Sequence, residues 1–243
     1  MRAIILAAGR GRRINILSKK NPKALIKINN KPLIDYQIEN LKKAKIKKIA
    51  LVTGYRNYLF NNYNFKKFFN KKWDRSNMIH SLNCADKWLK KYECIVCYGD
   101  IFNHPKAILL LKNTKNKFVL LNNVNFLKTW KKRFNYPLND VESFKLDKKG
   151  YLIEIGKKEK SLNNIEGQFM GLFKISPKNW FKIKNYLNEI KNKSSKISTT
   201  ELFYNLIKFK KQRIKALNYY DYWFEIDNHK DFNILKRFLK YKS

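Results

Sequence analysis

The chain begins with Met1-Arg-Ala-Ile-Ile-Leu-Ala-Ala-Gly-Arg-Gly-Arg-Arg13, a short apolar run that leads directly into a turn rich in glycine and arginine. The apolar run predicts a buried strand at Ala3–Leu6. Gly9 and Gly11 carry no Cβ, so the backbone there can approach phosphate oxygens closely and point N–H groups at them. The three arginines of the turn add charge that can fork onto the same oxygens. The segment therefore predicts a strand followed by a phosphate-holding turn, the usual start of an α/β fold.

Strand and helix patterns alternate through the first half of the chain. Cys94–Tyr98 is a nearly continuous apolar run, typical of a strand buried on both faces. Asn77 is the predicted N-cap of the helix that follows it. The alternation predicts a mainly parallel sheet with helices on both faces. The predicted strands are Ala3–Leu6, Lys48–Val52, Cys94–Tyr98 and Phe118–Leu121, with an extended piece at Ala24–Ile28, and the predicted helices are Pro32–Lys43, Asn57–Asn61, Met78–Lys90 and Lys106–Leu111.

After about Trp130 the rhythm changes, because strands follow one another without helices between them. Helices then return, one of them opened by the capping-box pattern Ser198-Thr-Thr-Glu201. We therefore predict one domain over residues 1–243, a Rossmann-like three-layer α/β/α sandwich with a mixed, mainly parallel sheet and a small β-rich lobe. The predicted strands of this half are Val141–Leu146, Tyr151–Ile155 and Gly167–Ile175, and its predicted helices are Trp180–Lys191, Leu202–Lys208 and His229–Lys240.

Charge and hydropathy limit the classes of protein that fit. The chain has 243 residues and a formal net charge of +36, but its lysines are spread along the whole length instead of forming one stripe or tail. A nucleic-acid-binding protein is therefore disfavoured, although the charge would steer polyanionic substrates toward the surface. The sequence contains neither the longer apolar core of a signal peptide nor an apolar run near the ~18 residues of a membrane span. A soluble cytoplasmic protein is the expectation.

The cysteine pair Cys94-Ile-Val-Cys97 has the C-x-x-C spacing of redox and zinc sites. It lies within a predicted strand, where positions i and i+3 point to opposite faces. Core packing is therefore the expected role of both thiols.

A second motif gives the opening turn its meaning. Pro22-Lys23-Ala24-Leu25 places a lysine shortly after the glycines, where its ammonium can reach a phosphate held in the turn. Together the segments read LAAGxGxR over 6–13 and PKxLxxIxxKPL over 22–33. This pattern resembles the start of the nucleotidyltransferases, which join a nucleoside triphosphate to a sugar 1-phosphate or a small phosphorylated alcohol. The matching segments further along the chain are Val52–Tyr55, Asn77–Leu82, Tyr98–Ile101, Ile155–Lys158, Ile165–Gly171 and Trp223–Asp227.

Within these families the chain most resembles the small cytidylyltransferases that act on phosphocholine, 2-aminoethylphosphonate or phosphoglutamine. The segments that carry this likeness are Trp130–Phe134, Pro137–Glu142 and Glu166–Gly171. The resemblance implies the fold of the nucleotide-diphospho-sugar transferases, with a nucleotide-binding half at 1–125 and an acceptor-binding half at 126–243. Two positions depart from the pattern. Arg12 replaces a small hydroxyl residue and leaves the seating of the triphosphate open, whereas Val141 replaces alanine and affects only the size of the pocket.

The resemblance also implies a magnesium site. Asp100 follows a buried strand and Gly99, at the kind of strand end where open α/β sheets bind ligands. Asp227 precedes the last helix and is by itself equally suited to cap it, as Asn228 is. The resemblance makes Asp100 and Asp227 the Mg²⁺ pair, which agrees with the preference of Mg²⁺ for oxygen ligands. It assigns the catalytic cations to Lys23, at the attacking or α phosphate, and to Arg13, at the leaving part of the triphosphate.

The remaining site residues are expected to bind the two substrates. The nucleotide is expected against Leu6, Ala8, Gly9, Gly11, Arg13, Asn77, Ser81 and Gly99. The acceptor is expected against Asp140, Glu142, Lys157, Lys158, Glu166 and Trp223. The sequence does not distinguish which of the two neighbouring lysines holds the acceptor phosphate. The carboxylates and the tryptophan suit a cationic amine.

The sequence thus predicts a Mg²⁺-dependent enzyme that transfers CMP from CTP to a small phosphate or phosphonate with an amine or amide group, releasing pyrophosphate. The product would serve decoration of a surface glycan or lipid. The alternatives are a sugar-1-phosphate nucleotidyltransferase that uses UTP, dTTP or GTP, and a basic nucleic-acid-binding protein without catalysis. The oligomeric state stays open.

Overall fold

A seven-stranded sheet forms the centre of the computed structural model, which describes residues 1–14 and 19–242. The described strands are β1 (Arg2–Ala7), β2 (Lys27–Ile28), β3 (Lys31–Pro32), β4 (Ile49–Thr53), β5 (Lys66–Phe69), β6 (Cys94–Tyr98), β7 (Ile101–Asn103), β8 (Phe118–Asn123), β9 (Phe144–Leu146), β10 (Leu152–Ile155), β11 (Gln168–Ile175), β12 (Lys215–Tyr219) and β13 (Trp223–Glu225). The sheet order is β12-β8-β11-β6-β1-β4-β5. Of the seven described strands in this sheet, β11 alone runs antiparallel to its neighbours, so the sheet is mixed and mainly parallel, as predicted.

Helices pack against this sheet and against one another. The described α-helices are α1 (Leu33–Lys43), α2 (Met78–Cys84), α3 (Asp86–Leu89), α4 (Lys106–Asn113), α5 (Phe126–Arg133), α6 (Pro177–Glu189), α7 (Thr199–Phe209) and α8 (His229–Lys242). Helix α2 contacts β1 and β4, α4 contacts β6, β8 and β11, and α8 contacts α5 and β13. Within the described ranges, no helix has the length and apolar character needed to cross a membrane. The fold is the predicted α/β class.

A short antiparallel pair, β7 with β13, connects the two halves of the chain. Glu225 lies opposite Ile101 in this pair, and the backbone N–H of Ile226 donates to the carbonyl of Asp100 at 3.0 Å. Because β7 begins directly after Asp100 and β13 ends two residues before Asp227, the pairing brings these two aspartates together. The predicted small β-rich region corresponds to the hairpin of β9 and β10.

The main apolar core extends through both halves and includes β6. Cys94 and Cys97 are fully buried in that strand, and burial raises the pKa of the Cys94 thiol to about 12. These cysteines therefore pack in the core, as predicted. A second apolar cluster includes Ile26, Phe102 and Phe224.

Three local predictions differ from the structure. The helix predicted over Met78–Lys90 is two helices, α2 and α3, separated at Ala85. Asn77 occupies the N-cap position with extended backbone, but within the described residues its side chain makes no cap hydrogen bond and instead donates to the carbonyl of Lys196. The hydrogen bond to Lys196, which is distant in the sequence, thus takes the place of the local cap hydrogen bond. The piece expected to be extended at Ala24–Ile28 begins as a 3-10 turn, Lys23–Leu25, and only then becomes β2.

Strands β5 and β12 and helix α5 have weak sequence signals and were not predicted. Strands β5 and β12 are the two edges of the sheet, so their side chains are only partly buried and their apolar pattern is broken by lysines. Helix α5 buries only Phe126, Trp130 and Arg133 among its eight residues. An inward-facing arginine hides the apolar stripe by which a helix is normally recognised.

Candidate active site

The site lies where β1 and β6 end and the glycine turn begins. The N–H of Gly99 donates to the carbonyl of Leu6 at 2.9 Å, and the N–H of Lys23 donates to the carbonyl of Gly9 at 3.2 Å. These backbone bonds bring the PK segment alongside the turn, as its sequence position suggests. Gly11 has a φ of +73°, and a Cβ there would lie 2.9 Å from Cβ and Cγ of Lys23. Glycine at this position therefore lets the lysine pass beneath the turn.

Lys23 forms the centre of an ion-pair cluster. Its Nζ lies 2.6 Å from Oδ2 of Asp100 and 2.8 Å from Oδ1 of Asp227, and its side chain is 12% exposed. Burial alone would lower the pKa of Lys23, but the two aspartates raise it well above its ordinary value. The lysine is therefore fully charged, and the structure unites three residues that the sequence predicted from separate motifs.

Asp100, Glu225 and Asp227 present carboxylate oxygens within 4.8 Å of one another. Oδ1 of Asp100 is buried and has no hydrogen-bond partner among the described residues. Burial, with Asp227 and Asp100 nearby, raises the pKa of Glu225 to about 8. An all-oxygen donor set with an unpartnered buried oxygen fits Mg²⁺. Glu225 was missed by sequence reasoning, although it lies in the quoted segment ending at Asp227.

Two arginines also contact Asp227. Nη2 of Arg13 lies 2.8 Å from Oδ1, and Nη2 of Arg133 lies 3.3 Å from Oδ2. The Arg13 side chain is 71% exposed, whereas that of Arg133 is 1% exposed. Arg13 can therefore turn toward a substrate, and Arg133 is fixed in the interior. Asn228, as anticipated, caps α8 by accepting from the backbone N–H groups of Lys230 and Asp231.

A cavity of about 350 Å³ adjoins this cluster. Trp130 and Trp223 stack in its wall with ring centroids 5.2 Å apart, and the indole of Trp130 donates to Asp140 at 3.0 Å. Four carboxylates line the cavity in the described part of the chain. They belong to Asp140, Glu142, Glu225 and Asp227. Arg13 lines the cavity as well, so acidic side chains outnumber basic ones in the described lining although the chain has a net charge of +36. This composition suits a substrate group that carries positive charge or N–H donors.

Glu142 is held at the cavity wall by its backbone. Its N–H donates to Oε1 of Gln168 at 3.2 Å, and Nε2 of Gln168 returns a bond to the Glu142 carbonyl at 2.7 Å. Its carboxylate accepts a long bond from Thr200, at 3.4 Å. Burial raises the pKa of Glu142 above its usual range, and the long bond from Thr200 does not offset this effect.

Three residues predicted at the acceptor lie elsewhere in this structure. Lys157 and Lys158 are exposed on the turn after β10, where Nζ of Lys157 lies 4.7 Å from the centre of the Tyr204 ring. Glu166 is also exposed, and its carboxylate accepts from the backbone N–H of Leu146. None of the three belongs to the described lining of the cavity. Their contact with the acceptor stays a prediction.

The predicted nucleotide-binding residues fall into two groups. Leu6, Ala8, Gly9 and Gly11 lie at the β1 end and in its turn; the Ala8 carbonyl accepts from the N–H of Tyr55, and a Cβ on Gly9 would have no described atom within 4 Å. Ser81, in contrast, is buried and accepts a hydrogen bond from Asn70 at 2.9 Å. Asn77 lines the cavity. Among the described residues, the space above Gly9 is therefore open, whereas Ser81 already has a partner.

Comparison with known proteins agrees with the resemblance seen in the sequence. A family model described as a MobA-like NTP transferase domain matches residues 3–114. The CTP:phosphoglutamine cytidylyltransferase of Campylobacter jejuni is 42% identical over 187 residues, which cover 72% of this chain and 73% of that protein. The chain belongs to the nucleotidyltransferase family. The predicted recognition and the predicted enzyme class are confirmed.

Two further likenesses agree with this assignment. The choline-phosphate cytidylyltransferase of Streptococcus pneumoniae is 44% identical over 86 residues, or 34% of this chain and 38% of that protein. A solved structure of the CTP:phosphocholine cytidylyltransferase from Streptococcus pneumoniae superposes with a TM-score of 0.70 at 21% identity and covers 98% of both chains. The Rossmann-like fold of the nucleotide-diphospho-sugar transferases is thereby confirmed.

Proposed function

We propose that this nucleotidyltransferase is a Mg²⁺-dependent cytidylyltransferase that transfers CMP from CTP to a small phosphate or phosphonate with an amine or amide group. An acceptor oxygen forms a bond to the α-phosphorus of CTP, the bond from that phosphorus to the bridging oxygen of the β-phosphate breaks, and pyrophosphate leaves. Acceptors of the phosphoglutamine, phosphocholine or 2-aminoethylphosphonate type fit this description. The likeness to the Campylobacter jejuni enzyme supports the choice of CTP.

Asp100 and Asp227, with Glu225 beside them, are the residues that would hold the metal ion. Their oxygens converge, and one oxygen of Asp100 lacks a partner among the described residues. Bound Mg²⁺ would offset the negative charge of the triphosphate during phosphoryl chemistry.

Lys23 and Arg13 supply the cations that phosphoryl transfer needs. An anionic acceptor must approach an already anionic phosphorus, so positive charge has to reduce the repulsion and stabilise the charge that develops. Lys23 is buried and fixed by two carboxylates, whereas Arg13 is exposed and able to follow the triphosphate. An acceptor phosphate is ionised at neutral pH, so the reaction needs neither a side-chain nucleophile nor a general base.

The acidic cavity carries the proposal for the acceptor. It adjoins Asp227, its wall contains the stacked pair Trp130 and Trp223, and Asp140 and Glu142 face the same space. Carboxylates beside aromatic faces bind amines by ion pairing and cation–π contact. The product, in which CMP is joined through oxygen to the phosphate or phosphonate of the acceptor, would serve the decoration of a surface glycan or lipid, and the enzyme would act in the cytoplasm.

Pyrophosphate release with a panel of substrates tests this function. The four ribonucleoside triphosphates and dTTP are each combined with phosphocholine, 2-aminoethylphosphonate, phosphoglutamine and glucose 1-phosphate. We expect release with CTP and one of the amine or amide acceptors, and loss of release in Asp100→Ala and Asp227→Ala. Glu93→Gln, at the opposite end of β6, is the control and keeps its activity.

Other outcomes would favour the alternatives. Turnover only with UTP, dTTP or GTP and a sugar 1-phosphate would identify the sugar-nucleotide reaction instead. Steeply salt-dependent binding to duplex DNA without any pyrophosphate release would favour the nucleic-acid-binding protein. Release at the wild-type rate in both aspartate variants would refute the metal assignment.

A further inference from the structure

Arg133, at the end of α5, is a buried cation surrounded by carboxylates. Its Nε lies 2.8 Å from Oδ1 of Asp231, its Nη2 lies 3.3 Å from Oδ2 of Asp227, and its Nη1 lies 3.9 Å from Oε2 of Glu225. Burial alone would lower the pKa of Arg133, but these acids raise it. Lys131 and Lys132, its neighbours in the sequence, are exposed. Only the arginine of this basic run therefore points inward among its described neighbours.

The two oxygens of Asp227 have different partners. Oδ2 accepts from Arg133, whereas Oδ1 accepts from Lys23 and Arg13, each at 2.8 Å. Oδ2 thus faces the protein interior, and Oδ1 faces the side on which we propose that the substrates bind. Because Arg133 is fixed by its own packing, it determines the plane in which the Asp227 carboxylate lies.

Asp231 also holds the backbone at Asp227 and Asn228. Its Oδ2 accepts from the N–H groups of Asp227 and Asn228 at 2.9 and 3.1 Å, and also from Nη2 of Arg133 at 3.2 Å. The Asp231 side chain is 1% exposed. A fork-shaped guanidinium and a buried carboxylate therefore hold both the main chain and the side chain of Asp227 in one geometry.

We propose that Arg133, together with Asp231, is a positioning residue that orients the Asp227 carboxylate for metal binding and catalysis. This inference rests on the proposed function, in which Asp227 is a metal ligand. Arg133 is buried against Oδ2 of Asp227 and does not belong to the described lining of the cavity. Partners that orient a ligand in this way typically change metal affinity or activity by about 10–100-fold when removed.

Simple electrostatics predicts the opposite result, which makes the inference testable. Removing a cation beside three carboxylates would strengthen the binding of a divalent ion. Loss of orientation would weaken it. The direction of the change in metal affinity therefore separates a positioning role from a role in charge balance or in stability alone.

The experiment measures Mn²⁺ binding by electron paramagnetic resonance without nucleotide, and kcat and KM separately. In Arg133→Met we expect Mn²⁺ affinity and kcat to fall about 10–100-fold, with the acceptor KM within about twofold of wild type. Arg133→Lys keeps the charge but not the fork-shaped guanidinium, so its Mn²⁺ affinity and kcat should lie between those of wild type and Arg133→Met. Asp231→Asn should also lower both the Mn²⁺ affinity and kcat. Lys174→Met, which removes a buried lysine that donates to the Thr114 carbonyl, is the control and should lose only stability.

Equal or tighter Mn²⁺ binding in folded Arg133→Met would overturn the inference. If that variant does not fold, Arg133→Lys and Asp231→Asn decide the question by the same two readouts, and wild-type values in both would overturn it. Asp227→Asn separates this result from the proposed function. Loss of Mn²⁺ in Asp227→Asn with no change in the Arg133 variants refutes only the inference, whereas unchanged binding in Asp227→Asn refutes the metal site itself.

Discussion

Gly9 and Gly11 belong to one turn but have different neighbours. Gly11 adopts a left-handed backbone conformation and lies against the Lys23 side chain, so its requirement for glycine comes from the protein itself. A Cβ on Gly9 would contact no described atom within 4 Å. If glycine is needed there, the reason is the approach of a substrate phosphate.

Alanine at the two positions should therefore give different results. Gly11→Ala should lower the free energy of unfolding by about 1–2 kcal/mol through its left-handed φ. It should also lower kcat/KM for CTP by about 100-fold, because Lys23 is displaced. Gly9→Ala should leave the unfolding free energy unchanged and raise the KM for CTP. Urea unfolding and steady-state kinetics measure both effects, and equal destabilisation of the two variants would contradict this account.

Glu142 provides a test of the acceptor cavity through pH. Its raised pKa means that the folded state favours the protonated carboxyl, so ionisation at neutral pH costs stability. Glu142→Gln should therefore raise the melting temperature at pH 7 and raise the KM for an amine acceptor. In the wild type, this KM should increase as the pH falls through the raised pKa. Glu154→Gln is the control. Because Lys145 lowers the pKa of Glu154, loss of the Glu154 charge should slightly destabilise the fold. A lower melting temperature in Glu142→Gln would contradict the prediction.

Some site residues could be predicted from sequence because their motifs fix their local position. Lys23 follows the glycine turn and was therefore expected near phosphate. Asp100 follows a buried strand and was therefore expected at the edge of the sheet where ligands bind. Glu225, Arg133 and Asp231 were missed for a physical reason. Their importance comes from burial and from mutual contact across α5, β13 and α8, and a lone charged residue in a chain with 54 lysines and arginines gives no sign of either.

At the level of elements, helix α7 connects a local capping signal to the cavity. Ser198 accepts from the N–H of Glu201 at 3.0 Å and completes the capping box that the sequence predicts. Thr199 and Thr200, the first residues of the helix, line the cavity, and Thr199 accepts from the Tyr98 hydroxyl at 2.6 Å. The cap therefore sets the position of part of the wall of the cavity in which we propose that the acceptor binds.

Two matched cap variants separate stability from binding. Ser198→Ala should cost about 1 kcal/mol of unfolding free energy. It should also raise the acceptor KM several-fold. Ser176→Ala removes the cap of α6, which begins at the end of β11 beside the start of β6, away from the site. It should cost a similar free energy without changing the acceptor KM. The same rise in KM for both would show that general destabilisation, not the position of α7, controls acceptor binding.

The edge strands show why some strands could not be predicted from their hydrophobic pattern. Central strands such as β6 are buried on both faces, so their apolar runs stand out in the sequence. Strand β5 is half exposed and begins with two lysines, so its pattern resembles that of a loop. The short pair β7 and β13 was also invisible, because three-residue strands join segments more than 100 residues apart only through tertiary contact.

For the whole molecule, the strong positive charge surrounds an acidic cavity. Exposed charges act over a Debye length of about 10 Å at 0.1 M salt, so added salt should weaken the attraction of CTP to the surface. We expect kcat/KM for CTP to fall about tenfold between about 20 and 300 mM NaCl, with kcat little changed. Sucrose of equal osmolality is the control. A kcat/KM that is independent of salt would show that the net charge does not steer the nucleotide.

The central claim is that the site formed by Lys23, Asp100 and Asp227 joins CMP to a phosphorylated acceptor. ³¹P nuclear magnetic resonance of one reaction mixture with CTP, Mg²⁺ and the active acceptor tests it most directly. The account predicts, for each CTP consumed, one equivalent of pyrophosphate and one of a new anhydride that joins CMP to the acceptor phosphate or phosphonate. Formation of CDP with inorganic phosphate, or pyrophosphate and CMP without this anhydride, would contradict it.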